Sequence, residues 1–160
     1  MHEVEGLIAR RDKLAAGAGK FKGAILCPLV QDFALLPITD DLVIELKAYN
    51  ADTKPALARP IEHISDGLHA LAIDVSHNGP VAYVNTYYFG GRGGQDALVW
   101  DKGSLRFSPA SPGYEQNWPN SPISQALRII GVVAEQGMDE FDTVGLGKHR
   151  ETHRWAKSAR

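Results

Sequence analysis

The stretch from Val81 to Asp101 restricts the fold of this chain more than any other. Val81, Tyr83, Asn85, Tyr87 and Phe89 alternate with Ala82, Val84, Thr86 and Tyr88, a β-branched and aromatic run with a period of two. That pattern predicts an extended strand carrying bulky side chains on both faces. Four glycines around Arg92 follow, and then a second apolar run, Ala97–Trp100. Asp101-Lys102-Gly103-Ser104 makes a turn, and Leu105–Ser108 gives a third strand. Three strands joined by short connections form a meander.

The rest of the chain supplies more strands and the helices to cover them. Ala24–Val30 and Phe33–Ile38 are short apolar segments with Pro28 and Pro37, which places each proline at a strand end, bulge or edge. Thr39 is an N-cap for a helix starting at Asp40-Asp41, with Leu42, Val43, Leu46 and Tyr49 as its stripe. A second helix is predicted from Ile61 to His77 on Ile61, Ile64, Leu68, Leu71, Ala72 and Val75, ended by Asn78-Gly79-Pro80. His63 and His69 fall off that stripe and are expected near the surface. Ser121-Pro122 starts a third helix with Ile123, Ala126, Leu127, Ile130 and Val133 buried, and Gly137 as its cap. Near the N-terminus, Val4, Leu7, Ile8, Arg11, Leu14 and Ala15 match helical spacing. Residues 1–20 are therefore expected as an N-terminal helical arm and residues 21–160 as a single domain. The fold class is α+β: a mainly antiparallel sheet of about five strands around the meander, with helices packed on one face.

Composition narrows the function. A formal net charge of −2 over 160 residues argues against a nucleic-acid binder. No run is long enough for a membrane span, and the acidic N-terminus is unlike a signal peptide, so a cytoplasmic location is expected. The single cysteine, Cys27, sits in an apolar run and is expected as a buried small side chain rather than a nucleophile.

Three groups invite a chemical reading. Gly90-Gly91-Arg92-Gly93-Gly94-Gln95 would cradle an anion if its amides converged, but such loops run into a helix N-terminus, and this one joins two strands. A flexible or bulged hairpin connection is the preferred reading. His149 and His153 are spaced like two ligands on a helix, yet Arg150 stands where a metalloprotease carries glutamate, and no third ligand follows. They are assigned to a solvated basic tail. Asp139, Glu140 and Asp142 offer paired carboxylates, more simply read as the polar side of a turn anchored by Met138 and Phe141. There is no nucleophile elbow or phosphate loop, so no catalytic residue, metal site or cofactor is assigned. Tyrosine, tryptophan and arginine are typical interface anchors, which makes Tyr88, Arg92, Gln95, Tyr114 and Trp118 the candidate partner- or ligand-binding residues.

Several segments also resemble a known group as an ordered set. They are Phe33–Asp40, Gly79–Val84, Tyr88-Phe89-Gly90-Gly91 with Gly93 and Gln95, Pro122–Leu127, and Asp139-Glu140-Phe141-Asp142 with Gly145-Leu146-Gly147 and His149-Arg150. The set resembles small bacterial proteins of the toxin-immunity type, over Lys22 to Trp155. The resemblance implies a non-enzymatic protein that neutralises a cognate toxin by binding it, and carries over no site residue. The alternative is a small enzyme or ligand-binding domain recognising an anionic small molecule near the glycine-rich stretch.

Overall fold

The computed structural model describes residues 1–52, 60–61, 64–108 and 118–160. In chain order these form β1 (His2–Arg10), α1 (Arg11–Ala18), β2 (Cys27–Pro28), β3 (Phe33–Pro37), α2 (Asp40–Asp52) and α3 (Asp66–Ser76). Then come β4 (Val81–Phe89), β5 (Arg92–Asp101), β6 (Ser104–Phe107), α4 (Pro122–Ile129), α5 (Glu140–Thr143) and α6 (Thr152–Ser158). The six strands make one open antiparallel sheet in the order β2-β3-β1-β4-β5-β6. The α+β class and the β4-β5-β6 meander are as the sequence predicts, and the sheet is one strand larger.

That extra strand is the main correction. Residues 2–10 are not part of a helical arm: they form a central strand, paired to β3 from Gly6 to Arg10 and to β4 from His2 to Ile8. The helix begins only at Arg11. Val4, Leu7, Ile8 and Ala9 are at most 1% exposed, so this strand belongs to the core of the domain.

Helices cover both faces of the sheet, not one. Leu7, Leu36, Val81, Tyr83, Leu98 and Trp100 pack against Leu14 of α1, Leu42 and Leu46 of α2, and Leu68, Leu71 and Val75 of α3. The alternate residues Val4, Ile8, Leu35, Ala82, Val84, Ala97 and Val99 pack against Ile123, Ala126 and Leu127 of α4 and Trp155 of α6. Strands buried on both sides read as unbroken apolar runs, which is what Phe33–Leu36 and Ala97–Trp100 are.

Local chemistry sets the boundaries. Thr39 Oγ1 accepts from Leu42 N–H, and Ser121 Oγ accepts from Ser124 N–H with Pro122 at the first helical turn, as the sequence indicates. The second helix starts later than Ile61 because Ser65 is its cap, its Oγ accepting from Leu68 N–H at 3.2 Å. The third ends at Ile129, followed by Gly131 at φ 106°, so Gly137 does not cap it and Val133 is exposed. His69 is buried beside Trp100, ring centroids 5.6 Å apart, and that burial lowers its pKa. The first apolar segment yields only the two-residue edge strand β2, where Pro28 lacks a donor without breaking a ladder on both sides. No helix among the described residues is long and apolar enough to cross a membrane.

Cys27 is buried, with its thiol donating to Trp155 O at 3.3 Å. Burial pushes its pKa up to about 11. The thiolate is the reactive form, so at pH 8 only about one thiol in a thousand is ionised in the fold. Native protein is expected to react with a thiol-specific reagent at least ~100-fold more slowly than unfolded chain. A native rate within about ten-fold of the unfolded one would contradict this burial.

Candidate functional site

The helices on the α2 side do not cover the whole sheet. Their apolar contacts stop at the row Leu7–Tyr83–Leu98 across β1, β4 and β5. Two further rows follow on the same face, Glu5–Asn85–Asp96 and then Glu3–Tyr87–Gly94, and the hairpin ends with the pair Phe89–Arg92. The face thus turns from apolar to acidic and hydrogen-bonding within one pair of residues along each strand.

Two helix starts wall this surface. Ile38, Thr39, Asp40 and Val43 approach from α2, and Glu151, Thr152 and His153 from the beginning of α6. The cleft between them is open to solvent and has a volume of about 770 Å³. The second wall is tied to β1: Glu3 N–H donates to Arg150 O at 2.7 Å, and Glu5 N–H donates to Thr152 Oγ1 at 3.0 Å. Ile38 N–H donates to Glu5 O at 3.0 Å, fixing the other wall. Hydrogen bonds from one edge of β1 to both walls make the cleft a rigid feature.

Its floor is strongly polarised. Tyr83 is fully buried and donates its hydroxyl to Glu5 Oε1 at 2.9 Å. Burial first, then the Glu5 and Asp96 carboxylates, push the Tyr83 hydroxyl far above the usual tyrosine range, so it stays a donor. Tyr87 is half-exposed, and its pKa is raised by burial and by Asp96. A Cβ on Gly94 would stand 3.1 Å from the Tyr87 hydroxyl and 3.4 Å from its ring, so the tyrosine lies across that glycine.

The glycine-rich stretch itself is a two-residue hairpin turn. Phe89 pairs directly with Arg92, and Gly90 and Gly91 take φ of 55° and 77°, the conformation that joins twisted antiparallel strands. Gly93 and Gly94 lie inside β5 opposite Tyr88 and Tyr87. A side chain on Gly93, at φ 128°, would collide with the Tyr87 carbonyl. These glycines serve backbone geometry.

The candidate residues from the sequence are split by the strand alternation. Arg92 lies at the exposed hairpin tip on the cleft face. Tyr88, 40% exposed, and Gln95 lie on the opposite face. Gln95 Oε1 accepts from Ile123 N–H at 3.0 Å, a bond to the start of α4. Trp118 is 64% exposed, and Tyr114 lies outside the described residues. Glu3, Glu5, Asp40 and Glu151 line the cleft; a helical arm over residues 1–20 leaves Glu3 and Glu5 off any sheet face, and Asp40 and Glu151 join them only through the fold. The alternation Glu3-x-Glu5-x-Leu7-x-Ala9 was the available signal.

The other two groups resolve structurally. His149 precedes α6 and stacks edge-on against Trp155 at 4.9 Å, while His153 is exposed and reaches Glu151 at 3.1 Å. They do not share a helix face, and among the described residues no group of three histidine, cysteine or acidic side chains is placed to hold a metal ion. Asp139 caps α5 through Asp142 N–H, and Glu140 is buried against Arg128.

Comparison of the chain with protein-family models, with curated proteins and with solved structures gives no match.

Proposed function

We propose that this is a non-enzymatic protein-binding module of the toxin-immunity type that the sequence resemblance implies. It engages its partner with the end of the sheet where the β4–β5 hairpin projects. One observation carries the reading: Tyr87, Tyr88 and Phe89, three consecutive aromatics, are 45%, 40% and 74% exposed at that tip. The domain buries two full apolar layers elsewhere, so packing does not require these rings outside. Exposed aromatics gathered on the two faces of one projecting hairpin tip, beside an arginine, are what protein interfaces use as anchors. The glycine turn joins two strands rather than running into a helix N-terminus, which favours this reading over an anionic ligand at the glycines.

The test is reconstitution with the products of adjacent genes. A stoichiometric complex of nanomolar Kd is expected, and Tyr88→Ala/Phe89→Ala should weaken it by about 30-fold or more, the scale of interface hot spots. Both side chains are exposed, so the variant should melt as the wild type does. A toxin that remains active under molar excess of this protein would exclude the immunity reading. A partner that binds the double variant unchanged would exclude the hairpin.

A further inference from the structure

We infer that the cleft beside the hairpin receives lysine or arginine side chains, so that the partner protein docks a basic segment there. This rests on the reading of this end of the sheet as a protein-docking surface. The uncovered sheet face offers three things at once. Glu3 and Glu5 stand two residues apart on one face of β1, about 7 Å by strand geometry. Like charges so placed repel each other, and a cation between them relieves that repulsion. Next to them on β4, Asn85 and the half-exposed ring of Tyr87 supply a neutral hydrogen-bonding group and a π face. Guanidinium and ammonium groups bind such faces. Asp40, exposed at the start of α2, adds a third carboxylate from the wall.

The cations nearest the α6 wall meet Glu151 rather than Glu3 or Asp40. Glu151 is met by Arg154 at 3.3 Å and by His153 at 3.1 Å, and Met1 is among the residues lining the cleft. Among the described residues, neither Glu3 nor Asp40 is in an ion pair. At about 770 Å³ the cleft has room for more than one long side chain. Charge complementarity of this kind selects partners and speeds encounter.

The probe is an N-acetylated, C-amidated hexa-arginine peptide, titrated into the full chain at low and at physiological salt. Binding that weakens with salt is expected, with amide shifts centred on residues 3–5 and 85–87. Glu3→Gln/Asp40→Asn should weaken it by about ten-fold or more, because two direct carboxylates are lost. Asp12→Asn/Glu135→Gln removes two exposed carboxylates outside the cleft, the same change in net charge, and should leave the affinity within about two-fold. Equal losses in the two variants, shifts elsewhere on the surface, or no binding to the wild type would each overturn the inference. The docking reading fails separately. A reconstituted partner that binds Glu3→Gln/Asp40→Asn as tightly as wild type leaves the hairpin interface standing and removes only the basic segment.

Discussion

A chain lacking residues 1–10 is expected to lose cooperative folding altogether. β1 lies third in the sheet, between β3 and β4, and its removal would leave both with open edges in the middle of the domain. Val4, Leu7 and Ile8 are each at most 1% exposed and face opposite cores, Leu7 under α1–α3 and Val4 and Ile8 under α4 and α6. Full burial of such side chains is worth about 1.5–3 kcal/mol apiece. Together with the ladders on both sides, that approaches or exceeds the roughly 5–15 kcal/mol by which a domain is stable. Far-UV circular dichroism and heating would decide it: no sigmoidal melt should be seen. Leu7→Ala, a gentler version, should cost about 2–5 kcal/mol and remain folded. A truncated chain melting within a few degrees of the full one would restore the picture of an appended arm and break this sheet order.

The mistaken arm shows where the sequence was ambiguous in physical terms. Val4, Leu7, Ile8, Arg11, Leu14 and Ala15 satisfy helical spacing because a strand and a helix meet at Arg10–Arg11, and the composite mimics one long helix. The meander was legible because Val81–Phe89 alternates without interruption and Gly79-Pro80 punctuates it. Helix starts at Thr39 and Ser121 were legible because a cap is a local hydrogen bond between near neighbours. Which faces of the sheet are covered is not local. It depends on where α4 and α6 return in space, and only the absence of polar residues in Ala97–Trp100 hinted at two layers.

The site was legible only in part for a related reason. Tyr88, Arg92 and Gln95 are close in sequence, yet a period of two sends Arg92 to one face and Gln95 to the other. The acidic cleft is built from residues 3–5, 38–43, 85–87 and 151–153, which only the pairing of β1 with β4 and its bridge to Glu151 assemble. Gly93 and Gly94 looked like a mobile loop. They are strand residues: Gly93 is required by its positive φ against the Tyr87 carbonyl, and Gly94 is small where the Tyr87 ring lies across it.

Replacing Arg128 by methionine is expected to destabilise the domain by about 3 kcal/mol, without any loss of apolar packing along the side-chain stem. Glu140 is only 4% exposed, and its carboxylate takes both oxygens' bonds from one guanidinium: Nε to Oε1 at 2.7 Å and Nη2 to Oε2 at 3.1 Å. The same group donates to Asn120 Oδ1 at 3.1 Å, so it ties α4, α5 and the segment before α4 together. Half of Arg128 is in water, whereas Glu140 is not, and the asymmetry decides which deletion hurts. Losing the arginine strands a buried charge; losing the carboxylate leaves a cation that solvent can still reach. Arg128→Met should therefore lower Tm by roughly 6–12 °C for a domain of this size. Glu140→Gln, which keeps the shape and removes the charge, should cost no more than about half as much. The double variant Arg128→Met/Glu140→Leu should recover part of the single loss, because no unpaired charge remains in the fold. If instead the double variant is worse than Arg128→Met by the full cost of Glu140→Leu measured alone, the two residues act independently. The acidic turn at Asp139–Asp142 would then owe its position to the Asp139 cap and not to this pair.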